Sequence, residues 1–146
     1  MTLANLLRIG QLKSHATSKV EVDQLLGAAR RNLADASVEV ISGETRFDSA
    51  YKAIMQASLV ALMANGYRPD TNRPGHQMTM VQSLTLTIGL PSERMVVLDA
   101  LQRRRNLADY TGAWIDETTR DSCIAEAKAL LRDVEAWLQE QHPELR

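Results

Sequence analysis

Residues 47–64 read FDSAYKAIMQASLVALMA, and this stretch decides the fold that the sequence predicts. Its apolar and small side chains recur at the three- and four-residue steps that place them on one face of an α-helix. That face carries Phe47, Ala50, Tyr51, Ile54, Ser58, Ala61 and Leu62, while Ala53, Ala57 and Ala64 would let neighbouring helices approach closely on other sides. A helix with contacts on several sides is expected at the centre of a helical bundle.

Helical patterns lie on both sides of this central stretch. Ser18 and Glu21 have the spacing of a capping box, and the apolar face that follows runs to Ala36. A last helix is indicated after Asp116, where acidic residues favour a helix start and an apolar face continues to Leu138. The sequence therefore predicts long helices before and after the central one.

The segment after the central helix contains the main interruptions. Asn65-Gly66 is a typical helix end, and the turn-forming residues of 67–75 predict a long loop. Residues 78–88 fit a helix, although the alternation of leucine and threonine near their end also suits a strand. A further helix is predicted from Pro91 to a stop at Gly112.

The composition agrees with an all-α protein. The 146 residues are 45% hydrophobic but only 4% aromatic, so the core must consist mainly of aliphatic side chains and methionine. We predict one up-and-down bundle of about four to five main helices over residues 18–146, preceded by an arm or short helix at residues 1–17.

Charge and cysteine content restrict the classes of function. The formal net charge of -1 argues against a protein that coats nucleic acid or membrane over its whole surface, so any polyanion site must be local. The single cysteine, Cys123, has no neighbours with the spacing of a zinc site, and we expect neither a metal nor another cofactor. With no secretory leader and no run of ~18 apolar residues, the sequence predicts a cytoplasmic protein without a membrane partner.

The candidate site lies at residues 103–112, RRRNLADYTG. Three consecutive arginines fan out over about 200° of a helix, so Arg103, Arg104 and Arg105 cannot share one partner on that helix. Arg105 falls on the apolar stripe of its own helix, where a charge needs a partner or an interface. Arg103 to Asn106 are therefore candidates for binding phosphate. The alternative is solvated charge with an Arg105–Asp109 ion pair.

The order of the helices, together with a helix that ends in Arg105-Asn106-x-x-Asp109-Tyr110, resembles the HEPN superfamily of small prokaryotic helical proteins. The resemblance covers about residues 18 to 140. Two further segments carry it: residues 46–51, RFDSAY, and Gly75-His76 after the loop. It implies a homodimer with the arginine motif at the dimer cleft. It also implies an RNA-binding protein or metal-independent endoribonuclease, often encoded beside a minimal nucleotidyltransferase in a toxin–antitoxin or defence system.

The chain departs from the ribonuclease form of the HEPN motif, because Tyr110 stands where that form has histidine. Cleavage by 2′-hydroxyl attack needs a group that accepts the hydroxyl proton and another that protonates the leaving oxygen. Tyrosine, with an ordinary pKa of about 10, is a poor base at neutral pH, although it can donate a proton. His76 is the candidate that would replace the base from another helix. Tyr110 would either make a polar contact in the cleft or cover the core with its ring.

Three functions follow as hypotheses. The first is binding of RNA, a nucleotide or another phosphate-bearing partner at a cleft built on Arg105 and Asn106. The second is a protein-interaction or regulatory module that binds no nucleic acid. The third is a metal-independent endoribonuclease that uses Arg105 with Tyr110 or His76. Steep weakening by salt would distinguish phosphate binding from an apolar protein interface.

Overall fold

Helix α3, Gly43–Ala64, is the central element of the fold in a computed structural model that describes residues 1–146. Helices α2, Lys19–Ala36, and α7, Glu117–Gln141, pack against it along their lengths. The other elements, in chain order, are α1 (Leu3–Arg8), β1 (Leu12–Ser14), β2 (Tyr67–Pro69), α4 (His76–Gln82), α5 (Leu84–Thr87), α6 (Ser92–Thr111) and a final 3-10 turn (Pro143–Leu145). The predicted all-α bundle is confirmed.

The ends of the long helices follow the capping signals in the sequence. The Ser18 hydroxyl accepts a hydrogen bond from the Glu21 backbone N–H at 3.2 Å, as the predicted capping box requires. Asn65 ends α3, and Gly66 continues the chain at φ 92°, in the left-handed region that favours glycine. Gly112 ends α6 in the same way at φ 67°, which confirms the predicted stop.

One hydrophobic core of 26 buried residues joins the helices, and α3 supplies its centre. The buried residues of α3 include Phe47, Ala50, Tyr51, Ala53, Ile54, Ala57, Ser58, Val60, Ala61 and Leu62. These positions cover more than half of the helix circumference rather than lining a single stripe. The small side chains of Ala53 and Ala57 are buried, as expected for a helix with close neighbours on more than one side.

The predicted long loop at residues 67–75 was wrong in its first part. Tyr67–Pro69 forms strand β2, which pairs antiparallel with β1 so that Leu12 lies opposite Pro69 and Ser14 opposite Tyr67. Strands of three residues are too short to show an alternating pattern, and their stability comes from a remote partner. Leu12 secures this small sheet to the bundle, because it is buried against Leu62 and Met80.

The segment that was open to a helix or a strand is helical, as predicted. Helix α4 ends at Gln82, and the short α5 follows directly after Ser83, whose hydroxyl donates to the Met80 carbonyl at 2.7 Å. Helix α6 then packs more on α4 than on α7, which turns one side of its second half toward the start of α4. None of the helices combines the length and apolar character needed to cross a bilayer.

Candidate functional site

A cavity of about 200 Å³ opens where the start of α4 meets the second half of α6. Its lining consists of Gly75, His76, Gln77, Gln102, Arg105 and Asn106, with no apolar side chain among them. Three of the residues predicted from the sequence, Arg105, Asn106 and His76, therefore meet at one place. The hypothesis that His76 would approach the arginine motif from another helix agrees with this arrangement.

Arg105 is held at the cavity by an aromatic ring and two carboxylates. Its guanidinium carbon lies 4.8 Å from the centroid of the Tyr51 ring, a cation–π arrangement. Its Nε lies 3.5 Å from Asp48 Oδ1, and its Nη1 lies 3.4 Å from Asp109 Oδ2, which is the predicted i,i+4 pair. Both distances exceed the ~2.7–2.9 Å of a charge-assisted hydrogen bond.

The guanidinium of Arg105 is therefore positioned without being saturated. Its side chain is 23% exposed, and its two ion pairs engage Nε and Nη1, which leaves Nη2 without an acidic partner. The carboxylates balance part of its charge, while the planar group keeps N–H donors that could meet the oxygens of a ligand. A ligand in the cavity would therefore be contacted by the exposed part of this guanidinium and not by its buried Nε.

Tyr51 connects the position of Arg105 to the wall of the cavity. Its hydroxyl donates a hydrogen bond of 2.6 Å to Oε1 of Gln77, a cavity-lining residue on α4. Burial raises the pKa of Tyr51 to about 12, against the opposing effect of the nearby Arg105 charge. The hydroxyl is therefore protonated at neutral pH and can make this bond, which ties α3 to α4.

Gln102 contributes a second unsatisfied polar group to the cavity. The residue is only 3% exposed, and its Oε1 has no hydrogen-bond partner. A buried acceptor without a partner costs about 1–3 kcal/mol, which a suitable donor on a ligand would recover. One turn earlier on α6, the buried Asp99 has one oxygen 3.0 Å from Nη2 of Arg103 and the other without a hydrogen-bond partner.

Only two of the four residues predicted to bind phosphate together line the cavity. Arg105 and Asn106 line the cavity, whereas Arg103 is exposed beside Asp99. Arg104 turns toward the loop before α7, where its Nη2 donates to the carbonyl of Trp114 at 2.5 Å. The arginines therefore diverge around α6, as the 100° step of a helix requires.

Tyr110 does not cover the core, so that alternative for its ring was wrong. It occupies the last turn of α6 with 90% of its surface exposed, because its position on the helix points away from the bundle. It lies one helical turn beyond Asn106 on the same side of α6. The alternative of a polar contact in a cleft would require a ligand or another chain.

Sequence reasoning missed several residues that shape the site. Asp48, Tyr51, Gln77 and Gln102 were not identified as site residues, yet they hold Arg105 or line the cavity. A local signal existed for two of them, since Asp48 and Tyr51 are three residues apart and lie on one face of α3. For Gln77 and Gln102 no local signal existed, because only the packing of α4 on α6 brings them together.

Carboxylates make the far side of Arg105 acidic. Glu44, Asp48 and Asp109 line a separate cavity of about 140 Å³ near the end of α6. No group of histidine, cysteine or acidic side chains has an arrangement suited to a metal ion. The surroundings of Arg105 therefore carry both signs of charge, with the polar, non-acidic side facing α4.

No family model matches the chain, and no match was found among curated proteins or solved structures. The resemblance to the HEPN superfamily therefore rests on the residues quoted for it. The case for a function rests on the geometry of the cavity.

Proposed function

We propose that this protein binds RNA, through a phosphate and its attached sugar, at the cavity formed by α4 and α6. The observation that carries the proposal is that Arg105 is held in place by its neighbours and is still partly exposed at the cavity. Its guanidinium is fixed by Tyr51, Asp48 and Asp109, whose carboxylates engage only Nε and Nη1, yet its side chain is 23% exposed at a cavity that has no apolar wall. A planar guanidinium with free donors is well suited to phosphate oxygens.

The size and polar lining of the cavity fit one phosphate and its sugar as part of a larger ligand. Its volume of about 200 Å³ lies below the ~300–1,000 Å³ that is usual for small-molecule pockets. A phosphate and its sugar would occupy it, and the rest of the ligand would lie over the surface. A phosphodiester is fully ionised at neutral pH and has no donor for Oε1 of Gln102, whereas a ribose hydroxyl does. These features favour a ribonucleotide chain.

The nearby carboxylates limit how much attraction one subunit provides. Asp48 and Asp109 offset the charge of Arg105 within one subunit. We infer that the functional unit is a homodimer, in which one RNA strand extends over both subunits and contacts the arginine cluster of each. An apolar groove of about 440 Å³ between α6 and α7 supports self-association. Val96 and Val97 line this groove and are exposed.

The test is binding of a fluorescent single-stranded RNA, followed by anisotropy at low salt. Arg105→Gln should weaken binding by about tenfold or more, equivalent to ~1.4 kcal/mol, because it removes the group that contacts phosphate. Arg132→Gln is the matched control, since Arg132 is exposed on α7 and away from the cavity. Affinity should also fall steeply as salt rises. A folded Arg105→Gln protein with unchanged affinity would contradict the proposal.

Cleavage of the bound RNA is the second candidate, and the position of His76 favours it. His76 lines the same cavity as Arg105 and Asn106, where a histidine could exchange protons with the ribose or the leaving oxygen. End-labelled RNA incubated with a chelator would be cut by the unaltered protein and left intact by His76→Ala. Intact RNA in both samples would leave binding as the function.

The apolar groove also favours a third candidate, a protein-interaction module without nucleic acid. Its lining is mostly apolar, and Leu107 adds further exposed apolar surface on the same helix. Binding through such a surface would change little with salt, in contrast to phosphate binding. Retention of RNA that disappears on raising the salt concentration would exclude this candidate as the full explanation.

A further inference from the structure

Two large aromatic side chains are exposed near the end of α6. Tyr110 is 90% exposed and Trp114, in the loop before α7, is 80% exposed. The chain has only two tryptophans and three tyrosines, so these two positions hold a large share of its polar-edged rings. Such rings combine an apolar face with a polar edge and are favoured where a partner covers them.

The backbone that carries Tyr110 and Trp114 is held in place by side-chain hydrogen bonds. The Thr111 hydroxyl donates to the Leu107 carbonyl at 2.7 Å and accepts from the Ala113 N–H at 3.2 Å. Arg104 donates to the Trp114 carbonyl at 2.5 Å. The end of α6 that carries Tyr110 is therefore structured, so a ligand that contacts Tyr110 does not first have to order the chain.

Tyr110 is aligned with the cavity along α6. It follows Asn106 by four residues, which places the two side chains on one face with about 5–6 Å between their Cβ atoms. Asn106 lines the cavity, and Arg103 precedes it by one turn on the same face with its side chain 68% exposed. This face therefore presents, in order, the exposed guanidinium of Arg103 with its Asp99 partner, the edge of the cavity and an exposed ring.

We propose that the ring of Tyr110 stacks on an unpaired base of a single-stranded RNA whose phosphate lies at Arg105 and Asn106. The inference rests on the proposed function and makes its ligand specific. In a duplex the bases are stacked on one another and cannot lie flat on a side chain, whereas single-stranded bases can. Arg103 and Asn106 on the same face suit a phosphate-bearing strand, and they would be poorly placed within an apolar protein interface.

The stacking proposal assigns Tyr110 a different role from proton transfer. Stacking uses the face of the ring and does not need the hydroxyl, so Tyr110→Phe should bind as the unaltered protein does. Tyr110→Leu removes the π-face and should bind single-stranded RNA roughly 5- to 100-fold more weakly. Trp114→Leu is the matched control for loss of an exposed ring, because Trp114 lies outside the cavity face of α6.

The experiment uses the full chain and three probes: a fluorescent single-stranded RNA, the same RNA annealed to its complement, and the same RNA with abasic nucleotides. The unaltered protein should prefer the single strand, and Tyr110→Leu should reduce that preference. Removing the bases should weaken binding by the unaltered protein and have little effect on Tyr110→Leu. Circular dichroism establishes that each variant is folded.

Each other outcome overturns a defined part of the proposal. Equal losses in Tyr110→Phe and Tyr110→Leu would mean that the hydroxyl matters and the ring does not. Equal losses in Tyr110→Leu and Trp114→Leu would remove the special role of Tyr110. An unchanged Tyr110→Leu alongside a weakened Arg105→Gln would overturn stacking and leave RNA binding in place. Unchanged RNA affinity in both Tyr110→Leu and Arg105→Gln would overturn the proposed function as well.

Discussion

Arg105 owes its position to residues on two other helices as well as on its own. Tyr51 and Asp48 contact it from α3, Asp109 contacts it from α6, and Gln77 of α4 fixes the Tyr51 hydroxyl. A long, flexible side chain loses much rotamer freedom when it is held in this way. The three contacts restrict the Arg105 side chain already in the free protein. Binding of a ligand to Arg105 would therefore cause little further loss of side-chain entropy.

The hydrogen bond between Tyr51 and Gln77 should contribute measurably to stability. Tyr51→Phe keeps the ring beneath Arg105 but leaves Oε1 of Gln77 without its 2.6 Å donor. We expect the free energy of unfolding at neutral pH to fall by about 1 kcal/mol, the usual net value of such a bond. Urea denaturation measures it, and Tyr67→Phe serves as a control for loss of a tyrosine hydroxyl. Equal stability of Tyr51→Phe and the unaltered protein would contradict the expectation.

The same pair gives an alkaline pH dependence. Because burial raises the folded-state pKa of Tyr51 from 10.0 to about 12, its protonated hydroxyl contributes stability that is complete below the unfolded pKa. That contribution is lost as the pH rises through the folded value. The stability advantage over Tyr51→Phe should therefore shrink above pH 10.0. An ultraviolet titration should show a tyrosine that ionises only at about pH 12, and this step should be absent in Tyr51→Phe.

At the scale of elements, the connection between β1 and α2 contains a compact polar cluster. Glu21 accepts hydrogen bonds from the Thr17 hydroxyl at 2.7 Å and from Nε2 of His15 at 2.6 Å. The backbone N–H of Glu21 donates a hydrogen bond to the Ser18 hydroxyl, which caps α2. One residue therefore both completes the start of α2 and holds the segment that leads back to the small sheet.

The Glu21 cluster predicts a loss of stability in acid. The hydrogen bond from His15, followed by that from Thr17, holds the pKa of Glu21 below its ordinary 4.5. The ionised carboxylate thus contributes stability that is present above the unfolded pKa and lost as the pH falls through the lower folded one. Glu21→Gln should lower the melting temperature at neutral pH, and the difference should narrow at about pH 3.

The size of the Glu21 effect is limited by exposure. Its side chain is partly open to solvent, so we expect no more than about 1 kcal/mol. Asp23→Asn is the matched control, because Asp23 forms an ion pair with Lys19 on the exposed side of the same helix. A difference in melting temperature between Glu21→Gln and the unaltered protein that widened in acid would contradict this prediction.

The elements that could be predicted from the sequence are those with local signals. Helix α2 has a side-chain cap and one apolar face, and the end of α6 is marked by a glycine at positive φ. Strands β1 and β2 have neither signal. Their pairing depends on a remote partner and on the burial of Leu12 beneath the sheet, which no window of sequence around either strand contains.

At the scale of the molecule, the candidate site was predictable in its charges and not in its shape. Arg105 could be singled out because a cation on an apolar stripe requires an explanation. The cavity itself arises where the start of α4 meets α6, so Gln77 and Gln102 become wall residues only through packing. Helix geometry predicts that Arg103 and Arg104 diverge. It does not predict which of the two contacts a carboxylate.

Self-association is the property of the whole molecule that the exposed side of α6 predicts. Val96 is 60% exposed at the apolar groove between α6 and α7, and burial of this groove against a second copy would remove apolar surface from water. Val96→Asp should shift a dimer toward monomers in sedimentation analysis, because burying a carboxylate in a largely apolar contact requires its costly removal from water. Val20→Asp is the matched control, because Val20 is exposed at the start of α2 and does not line the groove, and it should leave the dimer intact.

The dimer and the RNA site should be coupled if two arginine clusters act on one ligand. Val96→Asp would then weaken RNA binding and reduce its dependence on salt, because each monomer would contact fewer phosphates. Arg105→Gln, in contrast, should weaken binding without dissociating the dimer, since Arg105 faces α3 and α4 within its own chain. Two results together would contradict the dimeric site: an unaltered protein that sediments as a monomer at all concentrations, and a Val96→Asp protein that binds RNA with the same salt dependence. One cavity would then be the complete binding unit.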